Sequence, residues 1–550
     1  MRRRVIAVHG AAAVMLAGVL TAIPVTANAG AGQQDGAGAA GAADAALKWK
    51  DCGTENYPKL QCATLRVPLD HAKPGGRKIS LALSRVEHTA AKSQGPLLVN
   101  PGGPGGSGLS LAGFVAGSLP KKVAAQYDVI GFDPRGVGKS EPALDCEPGY
   151  FDPVRPDSVP RGAKDERANV KRAKGFADAC GEKYGKLLRH IDTVSAAEDM
   201  ESIRRALGSK KINYFGYSYG TYLGAVYAKL HPERVRRAVL DSVVDPDGVW
   251  YDNNIAQDHA FDARHKAFAA WVAEHDATYG LGTDPAAVEK AWYEMREAVR
   301  EEPAGGKVGP AELEDTFLPG GYYNGYWPDL ASAFAAFVKK DDAEPLAEAY
   351  DAFAAVDAEG DNGYSVYTAV QCRDTSWPRD WGTWRRDMAE AHAKSPFMTW
   401  NNAWYNAPCA FWPTDSLKAP GVSNKKLPPV LLFQATEDAA TPYGGGVSMH
   451  RKLRGSSLVV EEGGGNHGIT LSGSECLDGH LSKYLATGEV PRGKGSGDAD
   501  AVCAALPDPE PVSPEAAESA VPTPYGPKSG GGRSADRSGA ALHELVGFRR

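Results

Sequence analysis

The chain has 550 residues, with 61 Lys+Arg against 68 Asp+Glu, giving a formal charge of −7 at pH 7. That balance excludes a polyanion binder, which needs a clustered basic face to neutralise phosphates and release counterions; only the first four residues concentrate arginine. Hydrophobic residues at 43% and charged residues at 23% read as globular, while 63 Gly and 38 Pro assign a large share to loops and tails.

Arg2, Arg3 and Arg4 precede an apolar run from Val5 to Val25, and Ala27-Asn28-Ala29 then offers the small-x-small pattern of a cleavage site. This predicts a secretory leader over 1–29, cut after Ala29, and an extracellular protein. A membrane anchor is the competing reading, but the run is short, rich in Ala and Gly, and ends on the cleavage pattern. No later stretch reaches the ~20 apolar residues of a span, so nothing is expected to stay in a membrane once the leader is gone. The eight cysteines, Cys52, Cys62, Cys146, Cys180, Cys372, Cys409, Cys476 and Cys503, all follow the cut. An even count in an exported chain favours disulfides, and pairing of sequential neighbours is expected because each bridge then clips one local region. No C-x-x-C is present, which leaves a zinc ribbon or redox motif unsupported.

Residues 30–46 are almost entirely Gly, Ala, Gln and Asp and read as a linker or short propeptide. Short apolar runs then predict buried strands at Leu97–Val99, Val129–Phe132, Ile212–Phe215, Ala238–Leu240, Val430–Phe433 and Leu458–Val460. Helical patterns at Ala196–Leu207 and Tyr219–Leu230 alternate with them. The alternation argues for an α/β fold, a mostly parallel sheet with helices on both faces. From Trp250 to Ala419 the rhythm gives way to helix-like stretches at His259–Glu274, Ala286–Arg300 and Leu330–Val338 with dense aromatics, read as a large helical cap over the sheet's ligand edge. The core is therefore expected in two parts, 47–249 and 420–506, around a cap at 250–419. The region 507–550, rich in Pro, Ser, Gly and charge, is expected to be a disordered tail with one short apolar patch at Leu542–Phe548.

The most specific signal is Gly216-Tyr217-Ser218-Tyr219-Gly220, set between a predicted strand and a predicted helix. That is the G-x-S-x-G nucleophile elbow in its required context: small residues let a strand turn sharply into a helix and lift the serine hydroxyl clear of the sheet. A serine hydroxyl needs a base and an orienting carboxylate later in the chain. The loop after Val430–Phe433 supplies Asp438 as the acid, with Glu437 its nearest competitor. Of the histidines that follow, His450 and His480 fall in charged helix-like stretches and His543 in the tail. His467 lies in Gly463-Gly464-Gly465-Asn466-His467-Gly468, a loop able to carry an imidazole over the serine. The run Asn100 to Gly108 after Leu97–Val99 leaves backbone N–H groups free for an oxyanion hole, completed by the N–H of Tyr219. A phosphate-binding reading fails twice: this loop lacks G-x-x-x-x-G-K-[ST], and Gly136-Val137-Gly138-Lys139-Ser140 has Asp133 where the motif needs Gly.

Together with Gly131 to Ser140 and the Asp438 and His467 segments, these motifs resemble the secreted bacterial tripeptidyl aminopeptidases, α/β-hydrolases related to the prolyl aminopeptidases. The resemblance runs through the whole predicted globular region and is strongest in the two core parts; in the cap it rests on length and on Val370-Gln371-Cys372-Arg373-Asp374. It implies an α/β-hydrolase fold with Ser218, Asp438 and His467 as nucleophile, acid and base, and Gly103 as the second oxyanion donor. It implies acyl transfer without metal or organic cofactor, on peptides with free N-termini. The related signature H-G-G-P-G stands here as Pro101-Gly102-Gly103-Pro104-Gly105, which keeps the backbone donors but argues against a strict one-residue proline specificity. A carboxylesterase or a prolyl aminopeptidase-like hydrolase with the same triad is the alternative. An exopeptidase must also meet its substrate's ammonium with a carboxylate, and Asp374 is the candidate, against a surface acid paired with Arg373 or Arg379. Oligomeric state is not legible.

Overall fold

A computed structural model describes residues 47–493, 498–512 and 534–546; the expected leader and linker, 1–46, lie outside the described residues. In chain order the strands are β1 (Lys50–Asp51), β2 (Gln61–Pro68), β3 (Lys78–Val86), β4 (Gly95–Asn100), β5 (Tyr127–Phe132), β6 (Ile212–Tyr217), β7 (Val235–Asp241), β8 (Val430–Ala435), β9 (Ser457–Glu462) and β10 (Ala501–Ala504). They form one sheet in the order β1-β2-β3-β5-β4-β6-β7-β8-β9-β10. The pairs β1–β2, β2–β3 and β3–β5 are antiparallel and the remainder parallel. All six expected strands are present, each extended by a few residues.

The parallel strands are buried on both sides, which is why they read as continuous apolar runs. Along β6, Ile212 and Tyr214 enter one core while Phe215 and Tyr217 enter the other; β8 repeats this, with Leu432 opposite Leu431 and Phe433. Helices Thr193–Ala206 and Tyr219–Leu230 cover the first face. Helices Leu109–Ser118 and Glu475–Thr487 cover the second. Between β7 and β8 the elements are helical, beginning with Tyr251–Glu274. Their own core of Phe261, Phe268, Trp292, Phe317, Trp327 and Phe334 also takes in Ala439 and Ala440, so this region packs directly on the loop after β8. None of the described helices is long and apolar enough to cross a membrane.

The C-terminal region departs from expectation. Residues Ser534–Val546 form a helix, not disordered tail, with Leu542 and Val546 buried in the second core beside Leu111 and Val115. Its apolar residues fall at helical spacing, and the fold leaves an apolar surface for them that no reading of the tail by itself reveals.

The cysteines pair as sequential neighbours: Cys52–Cys62, Cys146–Cys180, Cys372–Cys409 and Cys476–Cys503. The third bridge closes 37 residues within the helical region. Replacing it by the pair Cys372→Ala and Cys409→Ala should lower the free energy of unfolding by about 2–4 kcal/mol. The denaturant midpoint of the protein with its other bridges intact measures this, and an unshifted midpoint would rule the contribution out.

Candidate active site

The loops that follow β4, β6, β8 and β9 leave the carboxyl ends of neighbouring parallel strands, where open α/β sheets place their ligands. Ser218 stands between β6 and its helix at φ 55° and ψ −127°, a conformation that L-residues rarely adopt. Its N–H donates to the Asp241 carbonyl at 3.0 Å, and its own carbonyl accepts from the Thr221 N–H at 2.8 Å and hydroxyl at 2.6 Å. The flanking glycines are required by close approach. A Cβ on Gly216 would lie 2.6 Å from the Gly220 carbonyl oxygen, and one on Gly220 would lie 2.8 Å from Asn100 Oδ1.

The loops after β8 and β9 bring Asp438 and His467 together. His467 Nδ1 lies 3.0 and 2.9 Å from the two Asp438 carboxylate oxygens, and both side chains are 0% exposed. Asp438 Oδ1 also accepts from the N–H groups of Ala440 and Thr441, each at 2.9 Å, and Oδ2 from the Thr441 hydroxyl at 2.8 Å. The His467 N–H donates to the Tyr322 carbonyl at 2.8 Å, and the Tyr322 ring meets the imidazole edge-on at 5.4 Å. With Nδ1 on the carboxylate, the ring's Nε2 has no hydrogen-bond partner among the described residues. Glu437 points elsewhere: its side chain is 54% exposed and pairs with Arg264 at 3.4 Å. His450 bonds to Ser456, and His480 lies beside the Cys476–Cys503 bridge.

The loop after β4 presses against the elbow. A Cβ on Gly102 would sit 2.8 Å from the Ser218 Cβ and 3.2 Å from the Tyr219 nitrogen, and Gly102 and Gly103 adopt φ of +107° and +102°. Neither the Gly103 nor the Tyr219 N–H donates to a described residue. Among the described residues, the His, Cys and acidic side chains near enough to share an ion are Cys476, His480 and Cys503, and their two sulfurs are already joined.

Residues 95–473 match the family described as alpha/beta hydrolase fold. The chain belongs to the α/β-hydrolase family. Its relatives within it include a tripeptidyl aminopeptidase of Streptomyces coelicolor, 44% identical over 486 residues, covering 86% of this chain and 88% of the relative. A tripeptidyl aminopeptidase of Streptomyces lividans is 45% identical, covering 82% and 86%. The serine protease Hip1 of Mycobacterium tuberculosis is 33% identical, covering 81% and 89%.

In this α/β-hydrolase Asp374 is a buried acid rather than a surface one. Its carboxylate is buried and accepts from the Thr193 N–H at 2.8 Å, the Thr193 hydroxyl at 2.6 Å and the Trp250 indole at 3.2 Å. It reaches the elbow through Thr193, whose hydroxyl lies 2.8 Å from the Tyr219 phenol, and through Trp250, whose ring packs on Tyr219 at 5.9 Å. The residue expected as the ammonium anchor is thus placed at the start of helix Thr193–Ala206, with three donors on its two oxygens.

A residue that the sequence did not single out does position the site. Asp241, at the end of β7, accepts from the N–H groups of Ile469 at 3.2 Å and Thr470 at 2.8 Å, while Ser242 Oγ accepts from the Gly468 N–H at 2.7 Å. Burial raises the Asp241 carboxyl to about 6. Its only sequence signal is an acid at the end of an apolar run, a position shared with many surface turns.

Two measurements test this arrangement. Asp438→Asn should lower kcat by roughly 10⁴-fold because the imidazole tautomer is no longer held, and Glu437→Gln should leave kcat within a few-fold; the reverse pattern would move the acid by one residue. Burial raises the Asp374 carboxyl to about 7 from an ordinary 3.8. A carboxyl raised in the folded state favours folding fully below its unfolded value and loses that contribution as pH rises through its folded value. The melting temperature of Asp374→Asn should therefore rise relative to the parent between about pH 4 and pH 7, whereas a pH-independent difference would reject the buried-acid account.

Proposed function

We propose that this α/β-hydrolase is an exported serine exopeptidase that releases short peptides, tripeptides foremost, from free N-termini through an acyl-enzyme. The observation that carries the reading is the His467 ring, held by Asp438 through Nδ1 with Nε2 left unpartnered, in the same site as a serine at positive φ. The peptide class rests on the similarity to the two Streptomyces tripeptidyl aminopeptidases. Export is supported by the leader pattern at 1–29 and by eight cysteines joined in four bridges.

In this reading the Ser218 hydroxyl oxygen attacks the carbonyl carbon of the scissile peptide and its proton passes to His467 Nε2. Asp438 keeps the imidazole oriented and stabilises the imidazolium that forms. The Gly103 and Tyr219 N–H groups meet the tetrahedral oxyanion, each donor of this kind being worth about 3–4 kcal/mol in the transition state. Collapse expels the amine with the proton from His467. Water, deprotonated by the same nitrogen, then releases the peptide acid and restores the serine. Ser218 Oγ is not a hydrogen-bond partner of Nε2 in this structure, so substrate binding must bring the two together.

Mass spectrometry of products from an unmodified peptide ladder tests the proposal. Tripeptides released stepwise from the free N-terminus, no cleavage of N-acetylated copies, and loss of turnover in a folded Ser218→Ala protein are expected. Equal cleavage of acetylated and free peptides would reject the exopeptidase, and turnover of acyl esters alone would install the carboxylesterase reading in its place.

A further inference from the structure

Helix Tyr251–Glu274 turns one face toward three supports of the Asp438–His467 pair. Gln257, Phe261 and Arg264 fall at i, i+4 and i+7 along it. Gln257 donates to the Ala440 carbonyl, two residues past Asp438, at 2.6 Å. Phe261 packs on Tyr322 with ring centroids 5.1 Å apart, and the Tyr322 carbonyl accepts the His467 N–H. Arg264 meets the His467 loop itself. A Cβ on Gly465 would lie 2.5 Å from Arg264 Nε, so the guanidinium rests on a bare Cα two residues before His467. A Cβ on the preceding Gly464 would lie 2.6 Å from Glu461 Cδ. The two glycines let the loop pass close to an arginine and a glutamate.

The Arg264 side chain is 7% exposed, yet its cationic head is thinly paired. Nη1 lies 3.4 Å from Oε2 of the half-exposed Glu437, Nε has no hydrogen-bond partner among the described residues, and the Trp327 ring covers the guanidinium at 4.9 Å. Keeping a charge in such a place costs stability, which an aliphatic side chain of similar size would not. Burial pulls the guanidinium below its ordinary value, while Glu437, Asp508 and Asp438 act to raise it. Arg264 therefore stands within electrostatic reach of Asp438. Burial, with Asp241 and Asp438 nearby, raises the Glu461 carboxyl to about 8; burial also pushes His265, beside Arg264, and His543, near His467, down to about 3. These three groups are neutral between those values, and the guanidinium is the fixed positive charge beside the loop.

We propose that Arg264 is the positioning residue of His467: its guanidinium braces the Gly464–Gly465 segment and sets a permanent positive charge beside the Asp438–His467 pair, which disfavours the imidazolium before substrate reacts. This rests on the reading of Ser218, Asp438 and His467 as nucleophile, acid and base. An imidazole kept neutral to lower pH can take the serine proton over a wider range.

The test is the pH dependence of Ser218 labelling by a fluorophosphonate, which reads the protonation of His467 whatever the natural substrate. In Arg264→Gln the acidic limb of the labelling rate should move up by about 0.5–1.5 pH units, so that below the limb this variant labels about 3- to 30-fold more slowly than the parent. Arg264→Lys keeps the charge without the planar fork; its limb should stay at the parental pH while its plateau rate falls. Asp241 and Glu461 are common to all three proteins, so the difference between limbs reads the replaced charge. A folded Arg264→Gln protein with an unmoved limb overturns the proposal, because a merely structural arginine would lower the plateau alone. Should Arg264→Gln melt below the assay temperature, Gly465→Ala keeps the arginine but displaces its head; its limb should move in the same direction, and an unmoved limb overturns the proposal equally. Absence of labelling in the parent at every pH would instead reject Ser218 as the nucleophile, and the proposal with it.

Discussion

The positive φ of Ser218 is the constraint on which the site depends. Holding an L-residue there costs about 1–3 kcal/mol, and the surroundings must over-determine it for the hydroxyl to stay aimed. Asp241 does this from two sides. Its main-chain carbonyl takes the Ser218 N–H, and its carboxylate takes the N–H groups of Ile469 and Thr470 just beyond His467. One residue therefore registers the Ser218 turn against the loop that carries His467. The Ser242 N–H in turn donates to the Phe433 carbonyl at 3.0 Å, which extends the registration to β8 and the loop that carries Asp438.

The Asp438 carboxylate is locked in a related way. Four donors converge on its two oxygens: two backbone N–H groups, one hydroxyl and the imidazole. A buried carboxylate with its lone pairs occupied cannot rotate without leaving a donor unmet, at about 1–3 kcal/mol each. Glu437 has the same chemistry one position earlier but faces solvent and Arg264. The difference between the two acids lies in the turn geometry after β8, which spacing alone does not reveal.

Legibility in the sequence followed physical distinctiveness. The parallel strands announced themselves because both faces are buried, and the elbow because two glycines must flank the serine. β2 escaped because it is wet on one face: Ala63, Leu65 and Val67 point inward while Thr64 and Arg66 are exposed, a weaker pattern than a continuous run. β10 escaped because it is short and polar-edged, with only Cys503 buried. The Asp374 assignment followed from what an exopeptidase needs, whereas the structure satisfies a helix start there instead. The C-terminal helix was set aside on composition, since the partners of Leu542 and Val546 lie more than four hundred residues earlier in the chain, at Leu111 and Val115.

Magnitudes also decide which boundary of the site can move. The helical roof is clamped to the base through buried ion pairs. Arg155, in the excursion after β5, bonds Glu312 at 2.8 Å and also pairs with Asp315, while Asp157 of the same excursion bonds Arg296 at 2.7 Å. Opening the roof would strip these groups of their partners before water could replace them, and losing one partner of a buried pair costs about 3–5 kcal/mol. Gln257 adds a further tie at 2.6 Å to the Ala440 carbonyl in the loop after β8. Because these ties are buried, the roof holds its place over the loop after β8 as a fixed boundary of the site.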